Sequence, residues 1–455
     1  MQLTKIALAC ALACAGTSAQ AAVLSATNVI YISGASAQTP GLAKSMGAFC
    51  NTVVDTYVDD QDGKQAFVYS CSSAKATSGL TAGSSFIVVK SDAGGSANGV
   101  APVVNLTNIK FPDINNCSAT VTAGYNANNT VGTVAGSCAY SVAGVNKVPQ
   151  VGLTDVPAAV WKARCQFTPV AGALYTTKAG FAGQGFGVAV SPLLYTALQN
   201  DQIAGGLLAA TCTGVATAGD CQPSISKAQY ANIVAANPGS PYQQNWNALL
   251  PHLPAGTVTG PVTLERRTST SGTQASSDVY FLDAPCKSLT AMGGALAPAT
   301  AGTYDAFGVI STDPTYSGIP AFVVVENSST GNVKAALGAG YTIGVMSLEN
   351  AQPASGWKWV KLNGVSPNLN TNQKSTTVDG LYDFAYETEM LYRNDAVVAA
   401  KNVANALVTE MGNGANLAVF PGLYADPASG AAYVAGQTHK GSRGNNVCQN
   451  HLMYF

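Results

Sequence analysis

Short apolar runs alternate with segments of helical periodicity along this chain. Residues 28–32 form an apolar run, 33–40 a turn of small polar residues, and 42–49 a stretch with apolar residues at helical spacing. This pattern predicts a strand, a turn and a helix in succession. It returns at residues 85–99 and 148–164, so the sequence predicts an α/β fold in which helices flank a sheet.

The second half of the chain continues this alternation. Further strands are predicted at 183–190, 262–267, 321–326 and 341–347, and helices at 274–282 and 395–411. The last helix has the clearest pattern, because Val403, Leu407 and Met411 fall on one face. Two polar, cysteine-bearing segments, 51–80 and 105–145, are predicted to be loop or hairpin insertions.

The amino-terminal residues predict export. Residues 1–21 have the three parts of a secretory signal: Lys5, an apolar run at 6–15, and the small residues Ala19 and Ala21 before the expected cleavage. We therefore expect a periplasmic or secreted protein.

The length that remains predicts two lobes, because 434 of the 455 residues exceed what one core usually holds. The first lobe is predicted to span residues 22–170 together with the returning segment 380–455. The second is predicted to span 171–379, with hinge strands near 165–185 and 345–380.

Charge and hydropathy exclude two classes of partner. Loss of Lys5 with the signal changes the formal net charge from -1 to -2, and only 10% of the chain is charged. There is no basic patch of the kind that binds nucleic acid. After residue 21, no apolar run approaches the roughly 20 residues that a membrane-spanning helix needs.

Nine cysteines follow the signal segment, and none forms a Cys-x-x-Cys pair. This argues against a zinc site and against thioredoxin-like redox chemistry. In an oxidising compartment, disulfides are expected instead. The spacing suggests three local pairs, with other pairings left open: Cys50 with Cys71, Cys117 with Cys138, and Cys212 with Cys221. One cysteine is left free or paired between chains.

Turns rich in Gly, Ser and Thr follow four predicted strands, at 34–39, 94–99, 152–155 and 267–273. In open α/β sheets, ligands bind at the carboxyl ends of the strands. Helix starts at this edge offer free backbone N–H groups and the positive end of the helix dipole, so several together would form a cage for an anion. Arg267 would add a forked charge that suits phosphate or sulfate. The alternative is that each turn is an ordinary helix cap, with Arg267 in a surface ion pair.

These turns resemble, in the same order, those of the phosphate-binding proteins of ABC transporters. The matching motifs are Gly-Ala-Ser-Ala-Gln-Thr-Pro at 34–40, Gly-Ser-Ala-Asn-Gly-Val at 95–100, Gly-Leu-Thr-Asp at 152–155, Arg-x-x-x-Ser-Gly-Thr at 267–273, and a Gly-Tyr strand at 340–345. The resemblance implies a two-lobed type 2 periplasmic-binding-protein fold, with mixed sheets flanked by helices and with disulfide-bearing loop insertions. It also implies ligand contacts from eight residues: Gln38, Thr39, Ser96, Asp155, Arg267, Ser271, Gly272 and Thr273.

The chain departs from the family pattern in two of these turns. The family commonly has an acidic residue in the loop that starts at Arg267, where this chain has Ser269. The first turn has Gln38 and Thr39 where the family favours Thr and an aromatic residue. Asp155 is retained. A buried carboxylate that faces an anion is costly unless it accepts a hydrogen bond from a proton of that anion. This favours hydrogenphosphate over sulfate, whereas Ser269 leaves the choice among oxyanions open.

The sequence therefore predicts a solute-binding protein, not an enzyme, that captures phosphate or a similar oxyanion between its lobes without cofactor or metal. An ABC transporter permease or other surface proteins are the implied partners. One alternative is a secreted or surface-displayed structural or adhesive protein that reuses the binding fold, as the inserted loops and the polar tail at 436–455 suggest. A secreted phosphatase is disfavoured, because the chain has only three histidines and no Gly-x-Ser-x-Gly motif.

Overall fold

The structure is a computed structural model. It describes residues 23–61, 65–121, 124–165, 174–214, 219–235, 246–254, 257–258, 263–284, 286, 304–305, 308–312, 323–367, 373–427, 430 and 432–455. The predicted signal at 1–21 lies outside these residues. Within them, every helix is too short or too polar to cross a bilayer.

The described strands overlap the predicted apolar runs and include others that the hydropathy pattern did not predict. They are β1 (Asn28–Gly34), β2 (Asp55–Asp59), β3 (Ala66–Cys71), β4 (Phe86–Ser91), β5 (Ile109–Phe111), β6 (Asp113–Ser118), β7 (Thr133–Ala139), β8 (Val145–Lys147), β9 (Val151–Thr154), β10 (Tyr175–Val190), β11 (Ser224–Ile225), β12 (Thr263–Arg267), β13 (Tyr304–Asp305), β14 (Gly308–Thr312), β15 (Val323–Asn327), β16 (Thr342–Ser347), β17 (Lys358–Trp359), β18 (Lys361–Leu362), β19 (Ala385–Arg393), β20 (Leu423–Ala425), β21 (Gly441–Ser442) and β22 (Leu452–Met453).

The helices lie between these strands. They are α1 (Thr39–Phe49), α2 (Ala101–Asn105), α3 (Ala158–Cys165), α4 (Pro192–Ala204), α5 (Lys227–Val234), α6 (Gly272–Leu282), α7 (Thr330–Ala336), α8 (Ser375–Val378), α9 (Val398–Met411) and α10 (Gly414–Leu417). Short 3-10 segments include Ser36–Gln38 and Gly95–Gly99, which lie in two of the four predicted turns. The helix predicted at 274–282 begins two residues earlier, at Gly272.

A mixed sheet organises the described residues and confirms the predicted α/β class. Its main path runs β13-β14-β15-β12-β16-β10-β19-β9-β1-β4-β3-β2-β7-β6. β1 pairs in parallel with β4 and β9, and β12 pairs in parallel with β15 and β16. The long strand β10 joins the two halves of the sheet. Its first part pairs with β19, and residues 186–190 pair with β16.

The core consists of two large hydrophobic clusters. One packs α1 and α9 against β1, β3 and β4, with Leu42 and Leu407 fully buried. The other packs around β10 and β16 and includes Trp161, which comes from the first 170 residues of the chain. The lobe limits and hinge positions expected from the sequence stay predictions.

The cysteine-bearing segments form hairpins, but these hairpins extend the main sheet instead of standing outside it. β3 pairs with β4, β2 pairs with β3, and β7 and β6 continue the same edge. β3 is almost entirely buried, as a strand inside a covered sheet should be. β6 has the polar sequence Asp-Ile-Asn-Asn-Cys-Ser, so its strand character was not visible in the hydropathy pattern.

Four disulfides link cysteines in the described part of the chain. Cys50–Cys71, Cys117–Cys138 and Cys212–Cys221 confirm the three pairs expected from spacing. The fourth links Cys286 to Cys448 across a sequence separation of 162 residues. The ninth cysteine is Cys165, at the end of α3.

The carboxyl-terminal segment, predicted to be a polar tail, packs onto the sheet. The Ser442 hydroxyl donates to Glu387 Oε1 at 2.9 Å, and Arg443 Nη2 donates to the carbonyl of Asp383 at 3.0 Å. His439 is only 1% exposed. Since Cys448 belongs to the same segment, its disulfide holds the segment in place beside β19 and α6.

Replacing both Cys286 and Cys448 with Ser should destabilise the protein more than replacing both Cys212 and Cys221. The first disulfide closes a loop of 162 residues and the second a loop of 9. Loop-closure entropy grows by about 0.6 kcal/mol per doubling, which predicts a difference of about 2.5 kcal/mol in the free energy of unfolding. Urea denaturation of the two double variants measures it. Equal losses would show that the long disulfide does not restrain the unfolded chain in this way.

Candidate functional site

The four turns predicted from the sequence meet at the carboxyl ends of β1, β4, β9 and β12. Parallel pairing of β1 with β4 and β9 places three of these ends at one edge. The turn after β12 contacts the turn after β4, where the backbone N–H of Ala97 donates to the carbonyl of Thr270 at 3.1 Å. The predicted convergence is therefore present, including contact between the two halves of the sheet.

Asp155 lies at the centre of this convergence. Its side chain accepts a hydrogen bond from the Ser96 hydroxyl, and the residue is 3% exposed. Gly272 is so close that a Cβ there would lie 1.6 Å from Asp155 Oδ1 and 2.5 Å from Ser96 Oγ. Only a residue without a side chain fits at position 272. Burial raises the pKa of Asp155, against the hydrogen bond from Ser96 and the charge of Arg267, which both lower it.

Arg267 is held in a fixed orientation at the edge of the same site. Its Nη1 donates to Thr330 Oγ1 at 2.7 Å, its Nη2 to the carbonyl of Ser328 at 3.1 Å, and its Nε to the carbonyl of Asn327 at 3.3 Å. Burial lowers the pKa of Arg267 to about 10, while the charges of Asp155 and Glu349 oppose that change. The guanidinium is therefore cationic at neutral pH.

A buried ion pair that sequence reasoning missed supports the first turn. Lys90 is completely buried; its Nζ pairs with Asp92 and donates to the carbonyl of Gly34 at 2.8 Å. Thr39 Oγ1 donates to both carboxylate oxygens of Asp92 at 3.0 Å. Burial lowers the pKa of Lys90, and the Asp92 charge raises it again. The available signal was a lysine at the end of an otherwise apolar strand, two residues before an aspartate.

Gln38 is buried without satisfying its polar atoms. The residue is 0% exposed, and neither its Oε1 nor its Nε2 has a hydrogen-bond partner. Buried amides are usually paired, so such a group at the start of a helix calls for a specific explanation. It is consistent with a donor and an acceptor kept for a ligand.

A polar cleft opens beside these turns, with a volume of about 370 Å³. Its described lining residues are Ser36, Gln65, Asp92, Gly94, Gly95, Gly124, Asn126, Asn129, Arg267, Thr268, Ser328, Ser329, Thr330, Gly331, Asn332, Lys334, Glu349 and Asn350. None of these is a histidine. No group of three or more His, Cys, Asp or Glu side chains suited to a metal ion occurs in the described part of the chain.

The predicted site residues divide into groups. Ser96, Asp155 and Gly272 lie together, and Ser271 contacts the turn after β4 through its Cα, which is 3.1 Å from a Cβ built on Gly95. Arg267 is the one predicted residue in the wall of the cleft. The other three predicted residues do not line the cleft. Thr39 is bonded to Asp92, Gln38 is buried beside it in the chain, and Thr273 is buried in the first turn of α6.

Gly272→Ala should separate the turns that now touch. The added methyl group overlaps Asp155, so we expect a loss of about 1–3 kcal/mol in the free energy of unfolding. Gly331→Ala is the matched control, because its Cβ would meet nothing closer than Ser329 Oγ at 3.5 Å. Urea denaturation of both variants measures the effect. A Gly272→Ala protein as stable as the control would contradict the close approach.

Glu389 makes the start of α3 depend on pH. Its Oε2 accepts from the backbone N–H of Ala158 at 2.7 Å, and burial raises its pKa from 4.5 to about 7. The folded state thus holds this proton more tightly than the unfolded state, and the free energy of unfolding falls as pH rises from about 4.5 to about 7. Glu389→Gln should remove up to about 3 kcal/mol of that fall. Urea denaturation of parent and variant across this range tests it, and identical pH profiles would refute it.

Comparisons with known proteins found only distant similarity. No protein-family model and no curated protein sequence matches it. One similar solved structure is a possible phosphate binding protein from Planctomyces limnophilus, with 12% identity, a TM-score of 0.35, and coverage of 85% of this chain and 88% of that one. Another is an ABC-type phosphate transport receptor from Vibrio cholerae, with 13% identity, a TM-score of 0.28, and coverage of 58% and 74%. Similarity at this level does not assign the chain to a family.

Proposed function

We propose that this protein is an exported solute-binding protein that captures phosphate or a similar oxyanion where the four turns meet. The observation that carries the proposal is the convergence of these turns around a buried carboxylate, Asp155, beside an oriented cation, Arg267. Parallel pairing explains why three of the turns share an edge, but ordinary helix caps would not require a buried carboxylate beside an oriented cation.

The available hydrogen-bond donors suit an anion. α1 and α6 begin in these turns, and helix starts present backbone N–H groups and a positive dipole end. The Gln38 amide lacks partners, and the Ser96 hydroxyl can turn from Asp155 to a ligand oxygen. Arg267 contributes the fixed charge. Because its three hydrogen bonds already orient it, ligand binding costs little of its side-chain conformational entropy.

Asp155 is the residue that distinguishes between oxyanions. Burial raises its pKa, which makes its carboxylate a better proton acceptor than an exposed aspartate. A protonated ligand such as hydrogenphosphate can donate to it. Fully ionised sulfate has no proton to donate, so its oxygens and the carboxylate oxygens of Asp155 would repel each other. We therefore expect phosphate to bind more tightly than sulfate.

The remaining parts of the proposal concern location and partners. Four disulfides are typical of a protein that folds in an oxidising compartment, which supports export. A transporter permease is the partner implied by the resemblance of the turns. A surface or adhesive role is the second candidate, and the exposed apolar residues at the carboxyl terminus, Tyr454 and Phe455, favour it.

Isothermal titration of the refolded, ligand-free protein with its disulfides intact tests the proposal. Phosphate should bind with micromolar or tighter affinity, and Arg267→Ala should weaken binding by about 100-fold or more, as loss of a buried charged partner does. Asp155→Asn should reduce the preference for phosphate over sulfate.

The matched control is Arg266→Ala. Arg266 is the next residue, but its Nη2 pairs with Glu326 at 2.8 Å and it does not line the cleft. This variant should bind phosphate as the parent does. No heat with any oxyanion from a demonstrably folded sample would contradict the proposal and favour the surface role.

A further inference from the structure

The polar cleft beside the four turns is larger than an inorganic oxyanion requires. Its volume of about 370 Å³ is within the range of roughly 300–1,000 Å³ found for sites of small organic ligands. At roughly 30 Å³ per water, this space equals about twelve water molecules, whereas phosphate has five heavy atoms.

The size of the cleft does not come from separated halves of the sheet. The turns after β4 and β12 are already in contact through the Ala97–Thr270 hydrogen bond of 3.1 Å. Gly272 is packed directly on Asp155. The space therefore persists when the two halves touch, and it extends from Arg267 along the turn that leads into α7.

The wall of the cleft is built from neutral hydrogen-bonding side chains. Ten of its described residues carry a hydroxyl or an amide: Ser36, Gln65, Asn126, Asn129, Thr268, Ser328, Ser329, Thr330, Asn332 and Asn350. No aromatic side chain is among the described lining residues, so a flat base or ring has no surface for stacking. Such a wall suits ligand hydroxyl groups.

Two acceptor atoms in this wall have no hydrogen-bond donor. Asn129 is 7% exposed, and its Oδ1 is buried without a partner. Glu349 Oε2 is also buried without a partner, while its Oε1 accepts from Asn350 Nδ2 at 3.0 Å. Unpaired buried acceptors are costly, and each requires a donor. Hydrogenphosphate carries a single donor, which the proposed function assigns to Asp155. It therefore cannot also donate to these two acceptors, whereas the hydroxyl groups of a larger ligand can.

The charges of the cleft fit the same conclusion. Asp92 is neutralised by Lys90, which leaves Arg267 and Lys334 facing the carboxylate of Glu349. An anionic group is therefore best placed at Arg267, away from Glu349. Glu349 is left to accept from neutral hydroxyl groups of the same ligand.

We propose that the physiological ligand is a phosphate monoester of a small polyhydroxylated compound, such as a sugar phosphate, with its hydroxyl groups bound by Asn129 and Glu349. This inference rests on the proposed oxyanion site at Arg267 and extends it into the neighbouring cleft. The phosphate group supplies the charge that Arg267 recognises, and the hydroxyl groups donate to the two unpaired acceptors.

Isothermal titration with inorganic phosphate, glycerol 3-phosphate, glucose 6-phosphate and glucose tests this assignment. At least one ester should bind about tenfold or more tightly than phosphate, and glucose should show no binding. Glu349→Gln and Asn129→Ala should each weaken ester binding by about tenfold and change the phosphate affinity by less than about threefold. A loss of one buried hydrogen bond has this size.

Glu326→Gln is the control, because Glu326 pairs with Arg266 and does not line the cleft. Thermal unfolding of each variant checks that it is folded. Tighter binding of phosphate than of both esters, or an ester preference unchanged in both cleft variants, overturns this inference and leaves the oxyanion site intact. If glucose binds as tightly as glucose 6-phosphate, the anionic group is not needed for binding, and the inference is overturned. If neither phosphate nor an ester binds, the proposed function fails as well.

Discussion

The buried carboxylate of Asp155 is the constraint on which this site depends. A carboxylate removed from water is stable only with hydrogen-bond donors and compensating charge around it. Ser96 provides the donor, Arg267 provides the charge, and Gly272 leaves the space. Asp155 and these three residues come from three of the four turns, with Arg267 and Gly272 in the same one, so the order of the strands must be correct before the carboxylate can be accommodated.

The strand β10 brings the turns around Asp155 together. Because β10 pairs with β19 along its first part and with β16 along its second, it aligns the two halves of the sheet in one frame. The turn after β12 is thereby brought against the turn after β4. A buried ion pair, Lys90 with Asp92, holds the first turn, because Lys90 also donates to the carbonyl of Gly34.

The site has two parts with different chemistry. Around Asp155 and Gly272, the chain packs tightly and leaves backbone N–H groups and one carboxylate. Beyond Arg267, the wall of the cleft is roomy and carries hydroxyl and amide side chains. In the function that we propose, the tight part discriminates by charge and proton position, and the roomy part by the number of hydroxyl groups that it can pair. Arg267 borders both parts, which is why its three hydrogen bonds to the turn before α7 matter for both.

Local patterns were sufficient for the apolar strands, for the helices α1, α3, α6 and α9, and for the four turns, but not for polar strands such as β6. The apolar runs of β4 and β16 predicted strands because they are buried on both faces, and the spacing of Val403 and Leu407 predicted α9 because one face packs on the core. Even the three short-range disulfides followed from spacing, since nearby cysteines meet easily in hairpins.

The tertiary structure alone decided which groups became partners. The sequence places Lys90 two residues before Asp92, but only the fold buries the two side chains together as an ion pair. Asn129 and Glu349 reach the same cleft from positions 220 residues apart. Cys286 and Cys448 meet only because the carboxyl-terminal segment packs beside β19. The sequence by itself determined the elements and the chemical groups at their ends, because propensity and hydropathy act over a few residues. The distances between those groups depend on how the elements pack, so they emerged only with the fold.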